Sequence, residues 1–338
     1  MKKIFLFSLS LAFLLSCSKE KIEEQENSSS ITPKARYSTA AVANIKGANW
    51  ACPGDNYQSG YLALSGLGPG DSYNTNKAFA QNIASQLSSK VGANTVRIPC
   101  NIVTVNDQAN WARYRGVIDG ILANGSKVII AYWHETTANG YVTDWNGFKN
   151  MWTGVCDNYQ GNPNVYFEIM NEPYGYSTND LLNMYKTWLA DHPGVTRGRV
   201  LCGGTGYDDN VKNIGGDSRI SGCLYSQHIY GYWSSGDLSY WYNNLLNRIG
   251  SANYSKTVIT EAGCTMNSGL NFFGTTSSNN EVNYFQGVCN ASRDKGMAIC
   301  YWPGVRDGDS YAMCTRSGST LNQTNSSGKN ELNWGYGN

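Results

Sequence analysis

Residues 167–175 read FEIMNEPYG, an apolar run that ends in a carboxylate, Glu172, set against a proline. A turn at this point would accept Asn, Asp or Gly more readily. Pro173 disfavours helical backbone at the residue before it and steers that residue toward an extended conformation. Glu172 is therefore expected to stand at the rim of a strand over 165–171, held there by the proline. Whether a carboxylate has a purpose at that rim depends on what ends the other strands.

Short apolar runs recur along the chain at 44–50, 94–99, 128–133, 165–171, 200–203, 223–229, 257–262 and 297–302. Longer segments with helical spacing lie between them, at 77–89, 109–124, 145–159, 179–191 and 280–295. In 179–191, for example, Leu181, Leu182, Tyr185, Trp188 and Leu189 repeat along one face. Eight strands alternating with helices indicate an α/β fold, a closed (β/α)8 or TIM barrel. The alternative is a doubly wound open sheet. No GxGxxG follows the first strand, and Gly66-Leu67-Gly68-Pro69-Gly70 lies in a long loop without the setting of a phosphate cradle. That loop, 51–76, is long enough to be functional and is expected to wall a cleft. The tail 306–338 is rich in Gly, Ser, Asn and Thr, and its sequence leaves hairpin and coil both open.

In a barrel the functional residues gather at the carboxyl ends of the strands. Those ends carry Arg97 in VRIP, His134 in YWHE, Asn171 and Glu172 in MNEP, His228 and Tyr230 in QHIY, Glu261 in ITEAG and Trp302 in CYWPG. Apolar strands have no structural reason to end in Arg, Glu and His, because isolated burial of such groups is costly. Taken singly, a strand-end Glu caps the next helix and a lone His is a satisfied packing residue. Together, in chain order, they must satisfy one another or a ligand.

Composition narrows the ligand. The chain of 338 residues has a formal net charge of +1 and only 15% charged residues, so it lacks the field that holds nucleic acid. Ten Trp and 23 Tyr beside 37 Gly put flat amphipathic rings on permissive loops, which suits ligands with apolar faces and polar rims, such as sugars. Trp133, Trp145, Tyr174, Tyr176, Tyr232 and Trp233 lie at or beyond strand ends as candidate stacking platforms. No His and carboxylate cluster has metal-ligand spacing, so no metal or other cofactor is expected.

Lys2 and Lys3 precede an apolar run at 4–15, too short to span a bilayer and laid out as a signal peptide. It closes with Leu14-Leu15-Ser16-Cys17, which resembles the lipobox of bacterial lipoproteins. The resemblance implies cleavage after residue 16, lipidation of Cys17, and a polar tether over 17–36 joining the anchor to a catalytic domain at 37–338. The expected location is the outer membrane at the cell surface, with the lipid as the sole membrane contact. Nine further cysteines, an odd number, show no CxxC spacing; export permits bridges, but several sit in apolar runs where a free thiol packs as a small hydrophobe.

The order Arg, His, Asn-Glu-Pro, His-x-Tyr, Glu, Trp resembles glycoside hydrolase family 5 of clan A, the cellulase-like retaining hydrolases with a (β/α)8 barrel, over about 44–302. The resemblance implies that Glu172 is the general acid and base and Glu261 the nucleophile. Arg97 and Tyr230 would donate to Glu261 and lower its pKa; Glu172, beside that charge, would hold a proton near neutrality. Asn171 would meet the sugar 2-hydroxyl, His134 and His228 would bind hydroxyls or support Glu172, and Trp302 would offer its ring face. His134 lies one residue further along than in the common family pattern, and Ala131 stands where Asp is frequent. Trp302 is followed by Pro303, for which a cis bond is expected. Glu168 shares the side of Glu172 but sits about 13 Å lower along the strand, where pairing with Arg97 or the backbone suits it better than catalysis. Glu135 and Asp144 are expected to start a helix or touch substrate. The implied function is endo-acting hydrolysis of a β-1,4-linked polysaccharide, glucan first, with mannan, xyloglucan or another decorated polymer as alternatives. A non-catalytic glycan-binding lipoprotein would be expected to lack one of the carboxylates.

Overall fold

The computed structural model describes residues 42, 44–135 and 138–337; the leader and tether expected over 1–36 lie outside them. Eight strands follow in chain order: β1 Lys46–Trp50, β2 Thr95–Cys100, β3 Lys127–Tyr132, β4 Val165–Glu168, β5 Val200–Gly203, β6 Leu224–His228, β7 Thr257–Ala262 and β8 Ala298–Val305. Each pairs in parallel with the next, and β1 closes on β8 with Gly47 opposite Cys300. The fold is a (β/α)8 barrel. Among the described residues no helix is long and apolar enough to cross a membrane.

Strand residues alternate between two environments. One set packs outward on the helices, as Phe167 does against Trp152 and Trp188. The other fills the barrel, where Ile129, Tyr166, Leu201, Leu224, Val258, Ala298 and Cys300 form a closed apolar layer. Toward the carboxyl ends the interior turns polar, with Asn49, Arg97, Glu168, Ser226 and Thr260 all buried. Alternation breaks in β7. Thr260 contacts Ser226 inside the barrel and Glu261 meets Arg97 there too, although adjacent strand residues should face opposite ways. Pairing of β7 slips against both neighbours at this point, and such a bulge can re-aim a side chain.

Helices α1 Tyr73–Val91, α2 Gln108–Ala123, α3 Trp145–Tyr159, α4 Thr178–Asp191 and α6 Asn280–Lys295 cover the expected helical segments. Asp144 starts α3 by accepting from the Gly147 N–H at 2.8 Å. A helix absent from the sequence reading, α5 Leu238–Ile249, turns only Trp241, Leu245 and Ile249 inward. Its remaining aromatics lie outside that face and blur the period. The tail forms a hairpin, β9 Cys314–Ser317 with β10 Thr320–Gln323, followed by helix α7 Ser326–Gly335 on α6. All nine described cysteines are buried and unbridged, and the Trp302–Pro303 bond is cis as expected.

Strand β4 stops at Glu168, three residues earlier than the apolar run suggests. The chain stays stitched to its neighbours beyond that point: the Ile169 N–H donates to Leu201 O at 3.2 Å and the Asn171 N–H to Tyr132 O at 2.9 Å. Asn171 and Glu172 are thus presented from a loop fastened on both sides.

The Gly of the TEAG motif has a packing reason. A Cβ on Gly263 would lie 1.8 Å from the Trp302 carbonyl oxygen, a backbone obstacle that cannot rotate away. Gly263→Ala is expected to force the ends of β7 and β8 apart and cost about 1–3 kcal/mol. Urea unfolding measures this, and a midpoint equal to that of the parent protein would contradict the packing argument.

Candidate active site

Arg97 rises from β2 into the polar layer, fully buried, and spends all five guanidinium N–H groups. Nε and Nη2 grip both oxygens of Glu168 at 2.6 and 2.9 Å, and the second Nη2 hydrogen goes to Asn171 Oδ1 at 2.7 Å. Nη1 reaches Glu261 Oε1 at 2.7 Å and Asn49 Oδ1 at 3.0 Å. Asn49, from β1, donates in turn to the carbonyls of Thr260 at 2.9 Å and Tyr301 at 3.1 Å. It escapes a survey of strand ends because it sits within KGANW; its signal is an amide side chain inside an otherwise apolar strand.

Glu261 receives a second donor on its other oxygen, the Tyr230 hydroxyl at 2.6 Å. Burial nonetheless raises its pKa above the ordinary carboxyl value, against the positive charge of Arg97 and the Tyr230 hydrogen bond. The lowered pKa expected from its partners is not what this environment produces, because the site is drier than donor counting assumes.

Glu172 is placed differently. Its φ is 48°, in the left-handed region, so Pro173 does not hold it extended. Proline excludes the ordinary helical basin for its predecessor but leaves this one open. A non-glycine residue there carries strain of about 1–3 kcal/mol. The conformation is pinned by the Glu172 N–H, which donates to Asp208 Oδ2 at 2.8 Å, and by the Tyr174 N–H, which donates to Glu172 O at 2.8 Å. Asp208 is fully buried, itself at φ 54°, and burial drives its carboxyl well above its usual range. It follows β5, a strand whose end carries no motif, and sequence reading missed it.

The Glu172 side chain is a quarter exposed, and Oε1 lies 3.1 Å from His228 Nδ1. Burial drops the His228 imidazole to about 4, so it is neutral at ordinary pH. Burial also pushes the Glu172 carboxyl up to about 7, against the positive charge of Arg97. One carboxyl is thus bound by two strong donors and the other faces a neutral imidazole. Ligand atoms of Glu172, His228 and Glu261 all lie within 4.8 Å of one another.

Above them opens a cavity of 320 Å³ lined by Glu172, Glu261, Tyr230, Tyr232, Trp133 and Trp302, with Asn56 and the loop 309–311 completing its wall. That loop is fixed by Arg306, which bonds Asp309 at 2.9 Å and the buried Asp55 at 2.7 Å. Trp302 is only 9% exposed because Trp133 stacks on it at 5.6 Å, and the Trp133 N–H donates to Asn56 Oδ1 at 3.0 Å. His134 is turned out of this cavity. Its Nδ1 lies 2.9 Å from Glu135 O and its ring meets Tyr174 edge-on, so the one-residue offset in YWHE puts Trp133 where the His was expected. Of the other aromatics, Tyr232 stands exposed at the cavity, Tyr174 stacks on Tyr207, Tyr176 accepts from the Val142 N–H, and Trp145 packs on Phe148.

Glu168, Asp208 and His228 also bring ligand atoms within 4.8 Å. A metal ion there would compete with Arg97, which holds both Glu168 oxygens; in the upper group it would have to displace Arg97 and Tyr230 from Glu261.

No curated protein sequence matches the chain. Among solved structures it resembles the catalytic domain of the major endoglucanase of Xanthomonas campestris pv. campestris, with 14% identity, a TM-score of 0.65, and 87% of this chain and 95% of that one covered. It also resembles an endocellulase from Pyrococcus horikoshii in complex with cellotetraose, at 15% identity and a TM-score of 0.64 over 86% and 92% of the chains. The catalytic domain of a Thermobifida fusca endoglucanase, also with cellotetraose, gives 17% and 0.57 over 86% and 91%. These likenesses speak to fold. The family profile described as cellulase (glycosyl hydrolase family 5) matches residues 65–304, most of the chain, and the protein therefore belongs to that family of glycoside hydrolases.

Proposed function

We propose that the protein is an endo-acting β-glycanase that cuts a β-1,4-linked glucan with retention of anomeric configuration. The observation that carries this reading is the approach of Glu172 and Glu261 oxygens to within 4.8 Å in unlike surroundings. Retaining hydrolysis needs carboxyl groups about 5–5.5 Å apart, whereas inversion needs about 6.5–9.5 Å to admit a water. Solved neighbours that carry cellotetraose support a glucan chain as substrate.

In the first step a Glu261 oxygen attacks the anomeric carbon as the glycosidic bond breaks, and the departing oxygen takes the proton of Glu172. Arg97 and Tyr230 hold the Glu261 carboxylate toward that carbon, and Asn171, whose Oδ1 is tied to Arg97, keeps its amide N–H groups for a sugar hydroxyl. In the second step Glu172, now ionised, removes a proton from water, which displaces Glu261 and restores both groups.

Glu172→Gln is expected to lower kcat by about 10²–10⁴-fold, the range of general acid–base catalysis. Glu261→Ala is expected to abolish turnover. Rate against pH should fall as pH rises through about 7, where Glu172 loses its proton, and fall again on the acidic side as Glu261 gains one. Polarimetry or NMR of the first-formed product should show the β-anomer. Initial formation of the α-anomer, or undiminished hydrolysis by Glu261→Ala, would refute the mechanism.

Asp208 acts through Glu172 as a positioning residue. Asp208→Ala removes the acceptor of the Glu172 N–H, and losing such a buried partner costs about 1–3 kcal/mol, which here should appear as a fall in kcat of about tenfold or more with KM little changed. Asp208→Asn keeps an acceptor and tolerates positive φ, so it should recover most of the rate. Equal rates for the Ala and Asn variants would dismiss the role.

We also propose that residues 1–36 export and anchor this domain, with lipid on Cys17 and the enzyme at the outer surface of the outer membrane. The supporting feature is the lipobox-like Leu14-Leu15-Ser16-Cys17 before a polar segment. Metabolic labelling with an alkyne fatty acid should mark the protein, and Cys17→Ser should remove the label; label retained by that variant rejects the anchor.

A further inference from the structure

We propose that the barrel carries a second saccharide-binding site, separate from the catalytic cavity, on its flank between α6 and α7, suited to a neutral glycan chain. A cavity of 290 Å³ lies there, lined by Leu238, Phe273, Gln286, Asn290, Glu331 and Trp334 among others. It shares no residue with the catalytic cavity.

Three observations point to a ligand. The first is Glu331, only 4% exposed, which lines the cavity yet makes no side-chain hydrogen bond or ion pair among the described residues. Burying a carboxyl without a partner is costly, and burial alone pushes this one to about 7, so near neutrality a substantial share of it carries a proton and can both donate and accept. The second is the state of the neighbouring amides. Gln286 Nε2 is committed to the carbonyls of Phe272 and Thr275 at 2.9 and 3.0 Å, leaving its Oε1 as an acceptor. Asn290 Oδ1 is committed to the Trp334 N–H at 2.8 Å, leaving its NH2 as a donor. The cavity thus offers donors and acceptors fixed by other bonds.

The third is the pair of rings. Phe273 and Trp334 are 41% and 39% exposed, unusual for large apolar side chains, and Arg293 stacks over the Trp334 ring at 3.7 Å and steadies it. Both rings also line an adjoining cavity of 460 Å³ with Lys329, Asn330 and Asn333, so the depression continues past them as a groove. Aromatic platforms beside a few fixed polar groups match a sugar ring, with its apolar faces and hydroxyl rim. A groove crossing two cavities matches a chain better than a single sugar. Such a site would hold polymer against the enzyme without taking part in hydrolysis. The inference stands on its own observations and does not require the assignment of Glu172 or Glu261.

Affinity electrophoresis of the full chain through gels containing hydroxyethylcellulose, galactomannan or xyloglucan tests the site, with hydrolysis of cellotetraose measured alongside. At least one polymer should retard the protein carrying Glu261→Ala. Adding Trp334→Ala or Phe273→Ala should weaken that retardation about tenfold, the loss of roughly 1.4 kcal/mol of stacking. In the parent background the same two substitutions should leave cellotetraose turnover unchanged. Glu331→Gln, which resembles the protonated carboxyl, should keep binding; Glu331→Leu, which fills the same space without polar atoms, should lose it. Retardation by none of the polymers, or retardation indifferent to Trp334, Phe273 and Glu331, overturns the proposal. Ring-dependent retardation without cellotetraose turnover would uphold it while counting against the catalytic reading.

Discussion

The buried guanidinium of Arg97 is the constraint around which the site is arranged. A fully desolvated cation must find partners for every hydrogen, and Arg97 finds them on β1, β4, the loop after β4, and β7. Those partners are then fixed relative to one another without touching directly. Glu168 supplies the bidentate clamp, Glu261 the second negative charge, and Asn49 ties the cluster to the β7 and β8 backbones. Removing either carboxylate would leave a buried charge short of compensation, a loss of several kcal/mol in known cases. Stability and geometry are therefore joined: burial of Arg97 is most favourable when the Glu261 carboxylate stands where the structure places it.

The same dryness that makes the cluster rigid sets apart the two carboxyls that line the cavity, Glu172 and Glu261. Burial raises both, yet the anion of Glu261 is met by Arg97 and Tyr230, while Glu172 meets an imidazole that burial keeps neutral. A donor pair favours charge on one; the lack of a nearby bonded cation favours a proton on the other. Backbone strain at Glu172 belongs to the same design. Holding a glutamate at φ 48° lets its side chain come off the loop at an angle an extended residue could not give, and the buried Asp208 secures it.

Much of this was legible in the sequence because a barrel maps chain order onto angular position. Once eight apolar runs alternate with helices, the last residue of each run must face the same rim, so Arg97, Glu172, His228, Glu261 and Trp302 could be grouped without coordinates. What could not be read depended on local departures from regular geometry. The bulge in β7 turns Glu261 inward after Thr260 already faces inward, and strand alternation alone would have sent it out. The left-handed Glu172 contradicts the extended backbone that Pro173 suggested. In YWHE one residue of offset exchanges His134 for Trp133. Asn49 lies inside a strand and Asp208 after one that ends in glycines, so neither announces itself by position. The hairpin and helix after β8 were hidden by a composition that favours turns, although Leu321 and Leu332 are the buried anchors.

The Trp133–Trp302 stack shows how a small local change alters what a shared scaffold can bind. Ring centroids 5.6 Å apart are in contact, leaving no room for a sugar between them, so the face of Trp302 toward Trp133 is already spent. The ligand surface of this cavity must then come from the edges of that pair together with the exposed Tyr232 and the loop 309–311. That loop is held by Arg306 bridging Asp309 and Asp55, two residues from loops after different strands, and by the Tyr301 hydroxyl of β8, which donates to Tyr311 O at 2.9 Å. The proposed catalytic groups are thus set by strands and the Arg97 cluster, whereas the shape of the cavity mouth depends largely on ties between loops. Shape can change with those loops while the carboxylate geometry below them stays fixed, which is why the strand ends speak to mechanism and leave the choice of polymer to the loops.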